Sequence, residues 1–198
     1  MTTPVVSGAI IAGGSSRRMG RDKRLLPIAG RPLITHPLDV LRQITATPMI
    51  IANDSQMLRA VGIAAPILPD VIPNAGAMGG IFTALHASSR QWVLCVAADM
   101  PRLNADLLRN MCQRIDSAYD VVLPVVGDEQ QGLHALYRRT ALPLLRQKIE
   151  AGDVRLQGIF QELRVLRLTE ADILPFDPAL ESFVNINTPD DYQLYKDG

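Results

Sequence analysis

The stretch Trp92-Val93-Leu94-Cys95-Val96-Ala97-Ala98 is apolar at every position. A strand with one wet face would alternate polar and apolar residues. An amphipathic helix would repeat about every 3.6. A short valine-rich run with neither period has the pattern of a strand buried on both faces, and such a strand needs cover above and below its sheet. The rest of the chain offers both more strands and the cover. Further strand-like runs fall at 5–12, 48–52, 64–68, 119–126, 133–137 and 163–168. Helical patterns fall between them. Leu38, Leu41 and Ile44 are spaced as on a helix over 37–44, and others are expected at 80–87, at 105–115 after a capping Asn104, and at 141–150. Thr188-Pro189-Asp190-Asp191 opens a last helix with a capping hydroxyl, a proline in the first turn and two acids beside the positive end of the helix dipole. Strands alternating with helices predict an α/β fold, a Rossmann-like mostly parallel sheet with helices on both faces. No repeat and no Gly/Ser or Pro linker divides the sequence, so residues 1–198 read as a single domain.

Composition narrows the partners. Twenty Lys+Arg balance twenty Asp+Glu, so no global charge draws the chain to nucleic acid or to an anionic membrane. Aromatic residues are only 5% of the chain and do not interleave with basic ones, which argues against a single-strand binding platform. No apolar run approaches the roughly eighteen residues of a membrane span. The start, Met1-Thr2-Thr3-Pro4, lacks a secretion signal. Cys95 and Cys112 form no C-x-x-C and suit a reducing compartment, so a cytoplasmic protein is expected.

Four segments carry chemistry. The first strand runs into Ala12-Gly13-Gly14-Ser15-Ser16-Arg17-Arg18-Met19-Gly20-Arg21-Asp22-Lys23-Arg24. Glycines let main-chain N–H groups approach an anion, and consecutive N–H groups form a nest for phosphate oxygens. The local crowd of cations on a neutral chain favours an anion site over a merely solvated basic loop. The spacing is neither that of the P-loop nor that of the dinucleotide fingerprint. Asp99, in Ala98-Asp99-Met100-Pro101, stands where the most apolar strand ends, the edge at which open α/β sheets gather ligands. A carboxylate there, near a triphosphate, suits Mg²⁺; it equally suits a simple turn before Pro101. Gly76-Ala77-Met78-Gly79-Gly80 reads as a turn feeding a helix. In Val184-Asn185-Ile186-Asn187-Thr188-Pro189, alternation would put both asparagines on one face of a strand with Ile186 turned to the core. His36, His86 and His134 are scattered, without the H-E-x-x-H spacing of a zinc site, and read as structural residues. Cys95 reads as a small core residue.

Taken in order along the chain, the loop from Ile10 to Lys23, the glycines at 76–80, Ala-Asp-Met-Pro at 98–101 and Val-Asn-Ile-Asn-Thr-Pro at 184–189 resemble the molybdenum cofactor guanylyltransferases, within the wider nucleotidyltransferases. The resemblance covers nearly the whole chain. It implies a nucleotidyltransferase-type fold and transfer of GMP from GTP to molybdenum-molybdopterin, with pyrophosphate released and Mg²⁺ as cofactor. It implies that Ile11, Ala12 and Gly13 meet the nucleotide through their backbone, that Lys23 contacts the phosphates, and that Asn53 and Asp70 are further GTP-binding positions. Arg17, Arg18, Lys23 and Asp99 would be the catalytic set. Asp99 would hold the metal, Asn185 and Asn187 would line the pterin side, and Asn187 also matches a second metal-contacting position. Cofactor insertion proteins and target molybdoenzymes are the further partners it implies. Two positions depart from the family pattern. Ala77 and Gly132 stand where proline is frequent, so both loops are expected to be looser. CTP or another phosphate acceptor, or a non-catalytic cofactor carrier, are the alternative readings. A carrier would not need Lys23 and Asp99 together.

Overall fold

A computed structural model describes residues 5–13 and 22–197. The apolar run becomes strand β6 (Trp92–Ala97), buried at all six positions. On one side it pairs in parallel with β1 (Ser7–Ile11), then come β4 (Met49–Ile51) and β5 (Ile67–Leu68), all in the same direction. On its other side β9 (His134–Arg138) runs antiparallel, followed by β7 (Val121–Val126), antiparallel to β9, and β10 (Val165–Leu168), parallel to β7. The order is β5-β4-β1-β6-β9-β7-β10, with β8 (Glu129–Gln130) turned back on β7. A separate hairpin joins β2 (Pro27–Ile28) and β3 (Arg31–Pro32).

Alternation along each strand divides the core into two layers. Ile10, Ile50, Leu94 and Val96 face α1 (Thr35–Arg42), α2 (Ser55–Ala60), α4 (Ala105–Gln113) and α7 (Glu170–Ile173) through Leu38, Leu41, Leu58, Leu108, Met111 and Ile173. Ala9, Ile11, Ile51, Val93 and Cys95 face α3 (Gly76–Ala87), α5 (Leu142–Glu150) and α6 (Leu156–Ile159) through Met78, Ile81, Leu85, Leu145 and Ile159. Each fully buried Leu or Ile contributes about 1.5–3 kcal/mol. Because β6 supplies both layers, its sequence can afford no polar position. A small third cluster, Ile28, Leu33 and Ile186, is covered by Tyr192 and Tyr195 of α8 (Pro189–Tyr195). The mostly parallel sheet with helices on both faces is the architecture expected from the sequence.

The caps fall where expected. Asn104 Oδ1 accepts from the backbone N–H groups of Asp106 (2.9 Å) and Leu107 (3.0 Å). Thr188 and Asp191 form a reciprocal capping box. Two details differ from expectation. Helix α3 starts at Gly76 rather than at 80, so the glycines are helical and not a loose turn. Gly79 and Gly80 are there for close packing: a Cβ on Gly80 would lie 2.6 Å from Ile11 Cγ2, and one on Gly79 would lie 2.7 Å from Ala75 Cβ, whereas Gly76 serves a left-handed backbone at φ +56°. Gly132 is likewise wedged, since a Cβ there would meet Leu156 Cδ2 at 2.6 Å and Phe160 Cζ at 3.1 Å, and the Tyr137 hydroxyl donates to its carbonyl at 2.7 Å. Among the described residues no helix is long and apolar enough to cross a membrane.

Candidate functional site

Strands β5, β4, β1 and β6 are parallel, so their carboxyl ends share one edge. The ladder continues one residue beyond them. Ala52 N–H donates to Leu68 O (2.9 Å), Ala12 N–H to Ile51 O (2.9 Å) and Ala98 N–H to Ile11 O (3.3 Å). The residues that leave this edge are therefore held in fixed relation, and they are Asp70, Asn53, Gly13 and Asp99. Ligands of open α/β sheets collect at such an edge.

Lys23 joins motifs far apart in sequence. It opens a 3₁₀ turn, Lys23–Leu25, whose N-cap is Asp22. The Lys23 ammonium donates to Asp99 Oδ2 (2.5 Å), Asn187 Oδ1 (3.0 Å) and the Ile186 carbonyl (3.3 Å). The Lys23 and Asp99 side chains are 26% and 15% exposed. On either side of Lys23, Asp22 and Arg24 form a two-pronged ion pair, with Arg24 Nε and Nη2 at 2.8 and 2.6 Å from the carboxylate oxygens. Arg24 Nη1 then donates to Ala12 O (3.2 Å) and so ties the return of the loop to its departure from β1.

The segment from Val184 to Asn187 belongs to no helix or strand. Ile186 is fully buried, as alternation requires, and its N–H donates to Asp99 O at 3.0 Å. The asparagines flanking it have different partners. Asn187 joins Lys23, whereas Asn185 Nδ2 donates back to Phe183 O at 3.0 Å. Asn187 is fixed from behind, because Asp191 Oδ2 accepts from the N–H groups of Asn187 and Thr188, both at 2.8 Å. Those backbone bonds hold the Asp191 carboxyl below the usual carboxylate range.

On the other side of β1, Asn53 and Asp70 clasp each other. Asn53 Nδ2 donates to Asp70 Oδ2 at 2.9 Å, and Asp70 N–H donates to Asn53 Oδ1 at 2.8 Å. Asp70 Oδ1 is buried and has no hydrogen-bond partner among the described residues. Burial raises the Asp70 carboxyl above its ordinary range, and the Asn53 amide only partly offsets this. A Cβ on Gly13 would stand 3.7 Å from Asp70 Oδ2, so Gly13 closes this second group. Arg17 and Arg18 lie outside the described residues.

Among the described residues no histidine bonds to the residues gathered here, although His134 stands opposite Val96 near the end of β6. His36 Nε2 is 3.0 Å from Ile28 O, and His86 stacks on Phe82. His134 is fully buried against Phe183 (ring centroids 4.6 Å apart), and burial lowers its pKa to about 4, which keeps the imidazole neutral. Among the described residues no three His, Cys, Asp or Glu side chains gather into a metal cage. One carboxylate with an amide and a carbonyl oxygen beside it is nonetheless a hard-oxygen set. It fits a cation such as Mg²⁺, which takes one or two carboxylates and completes its shell with phosphate and water.

A parallel-edge α/β protein with a cationic loop, a lysine bridged to a strand-end carboxylate and an Asn–Asp clasp between the ends of β4 and β5 has the build of a nucleotidyltransferase. The sequence and fold comparisons are specific. The chain belongs to the MobA-like NTP transferase family, whose domain profile matches residues 8–167. It is 33% identical to the molybdenum cofactor guanylyltransferase of Vibrio vulnificus, over 94% of this chain and 93% of that one. It is 34% identical to the probable molybdenum cofactor guanylyltransferase of Chloroflexus aggregans, over 96% and 93%. The crystal structure of molybdopterin-guanine dinucleotide biosynthesis protein A from Archaeoglobus fulgidus superposes with a TM-score of 0.85 at 25% identity, covering 96% of this chain and 97% of that one.

Sequence reasoning reached Lys23, Asp99, Asn187, Asn53 and Asp70, and the fold gathers them at one edge. It did not reach the Ile186 carbonyl, Arg24, Asp22 or Asp191. A main-chain oxygen has no residue signature, and Asp22 and Arg24 were hidden in a run of charges. The Asp191 role had a usable signal in the capping pattern Thr-Pro-Asp-Asp.

Proposed function

We propose that this protein transfers GMP from GTP to molybdenum-molybdopterin and releases pyrophosphate, as a single cytoplasmic domain spanning residues 1–198. The observation that carries the reading is the Lys23 ammonium bridging Asp99 and Asn187, which draws three separated motifs to the edge where the strands end. The names borne by its relatives point to the same substrates.

The chemistry asks little covalent work of the protein. An acceptor phosphate oxygen, already anionic, attacks the α-phosphorus of GTP. The new P–O bond forms as the bond to pyrophosphate breaks, and pyrophosphate leaves with that electron pair. No side chain need take a proton, so alignment and charge stabilisation are what the site must supply. By resemblance Ile11, Ala12 and Gly13 meet the nucleotide through backbone; the Ala12 N–H and the Ile11 carbonyl are already paired in the sheet, so Gly13 is the best placed of the three. Asn53 and Asp70 provide donors and acceptors on the far side of β1. Lys23, with Arg17 and Arg18 by resemblance, stabilises charge on the phosphates. Asp99, with Asn187, would hold Mg²⁺, which when bound supplies positive charge to the triphosphate. Asn187 shares Lys23 with Asp99, which favours the metal side for it and leaves Asn185 nearer the pterin role.

The test is a pyrophosphate-release assay with molybdenum-bearing molybdopterin and each of ATP, GTP, CTP and UTP. Release that depends on GTP and on the acceptor is expected. Preference for CTP would move the protein to cytidylyl transfer, and no release with any nucleotide would leave a carrier.

A further inference from the structure

Lys23 is given two tasks that its geometry keeps apart. An ammonium has three N–H donors. All three have oxygen partners within the protein: Asp99 Oδ2 at 2.5 Å, Asn187 Oδ1 at 3.0 Å and Ile186 O at 3.3 Å. In this arrangement no donor faces a phosphate. The same oxygens are those that would hold a divalent cation, so two positive groups have a claim on one cage.

We propose that Lys23 is a built-in stand-in cation. Its ammonium fills the oxygen cage while nucleotide is absent, holds free divalent ions out, and leaves for the phosphates when a metal–triphosphate complex arrives. This rests on the reading of Asp99 as the carboxylate that holds the metal.

The parts of the cage differ in mobility. The main chain that carries its oxygens is anchored: Ile186 N–H is bonded to Asp99 O, and the Asn187 and Thr188 N–H groups are both bonded to Asp191. Lys23 reaches them on a flexible four-carbon stem that rotates at little cost. The turn at its root is fixed by the Asp22–Arg24 pair and the bond from Arg24 to Ala12 O. A stationary cage with a hinged occupant suits exchange. An ion without phosphates offers Lys23 no new partner, so it must displace the ammonium into water and then share the cage with its repulsion. A metal–triphosphate complex brings its own anionic oxygens to receive the ammonium. The consequence is ordered loading, with metal entering alongside nucleotide.

Mn²⁺ is the probe, and its binding to the full chain without nucleotide is read by loss of the free-ion electron paramagnetic resonance signal. Wild type should bind Mn²⁺ weakly. Lys23→Met should bind it about tenfold tighter or more, because the ion no longer has to break an ion pair. Lys23→Met combined with Asp99→Asn should lose that gain. After subtraction of the Mn²⁺ that the analogue binds without protein, a non-hydrolysable GTP analogue should bring wild type up to the affinity of Lys23→Met. Lys23→Gln, which keeps one donor to Asp99 but no charge, carries the same expectation and stands in if the methionine variant does not fold by circular dichroism. Equal affinity in wild type and the neutral variants overturns the proposal. If that shared binding disappears with Asp99→Asn, the metal assignment of Asp99 survives and only the stand-in role falls. A gain that persists without the Asp99 carboxylate overturns both.

Discussion

Asp70 is buried enough that its charge is disfavoured, and one of its oxygens has no partner among the described residues. A folded-state pKa raised above the ordinary carboxylate value means that the protonated form fits the fold better. The group therefore favours folding below about pH 3.8, and that contribution is lost as pH rises through the raised value. At pH 7 the ionised Asp70 weighs against stability. Asp70→Asn should raise the melting temperature at pH 7, show no such gain at pH 3.5, and impair GTP binding. Thermal melts at the two pH values with a nucleotide titration check this. A variant equally destabilised at both would make Asp70 a structural residue. Groups that oppose the fold are common where function needs them. The sequence singled out Asp70 only through family resemblance, because burial and an unmatched oxygen are properties of the neighbours and not of the residue. Lys23 and Asp99 were legible from residues alone, as a lone lysine ending a glycine–arginine loop and an acid ending an apolar strand.

At the scale of elements, the apolar runs and the longer helices could be read, and several of the shortest elements could not. The strands at 5–12, 48–52 and 92–98 settled as Ser7–Ile11, Met49–Ile51 and Trp92–Ala97, each trimmed where the chain turns into the site. The hairpin of β2 and β3 and the short helices α2, α6 and α7 carry too few residues for a period to emerge. The beginning of α3 was hidden for a different reason. Its glycines look like turn residues locally, but Gly80 is required by contact with Ile11, a residue distant in sequence, and Gly79 by contact with Ala75. Gly80→Ala tests this. Helix propensity alone would make the change stabilising by about 0.5–1 kcal/mol. The overlap with Ile11 Cγ2 should outweigh that, since overpacking a close contact typically costs about 1–3 kcal/mol. Because Ile11 ends β1, nucleotide affinity should fall as well. Urea denaturation and a GTP titration measure the two effects. A variant more stable than wild type would show that α3 can move away from the strand.

Across the whole molecule, two layers share one central sheet, and each contains a cysteine. Cys95 lies in β6 within the layer under α3, while Cys112 lies on α4 in the opposite layer. Burial pushes the Cys112 thiol up to about 12 and the Cys95 thiol higher still, so neither forms a reactive thiolate in the native state. The two should therefore resist a thiol reagent together and become labelled together as the protein unfolds. Mass spectrometry during slow unfolding in denaturant resolves the two sites. Much faster labelling of Cys112 would show that α4 opens on its own.

The link between Ile186 and Asp99 has a consequence for how the protein is made. A ribosome delivers Lys23 and Asp99 early and Asn187 far later, and chains generally begin to fold from the amino end. The growing polypeptide can lay down β1, β4, β5 and β6 and pair Lys23 with Asp99 while two of the three oxygens around that ammonium have yet to be synthesised. Translation must pass residue 187 before the cage closes. A chain released early would keep the strand edge but have only a bare ion pair in place of the finished cage.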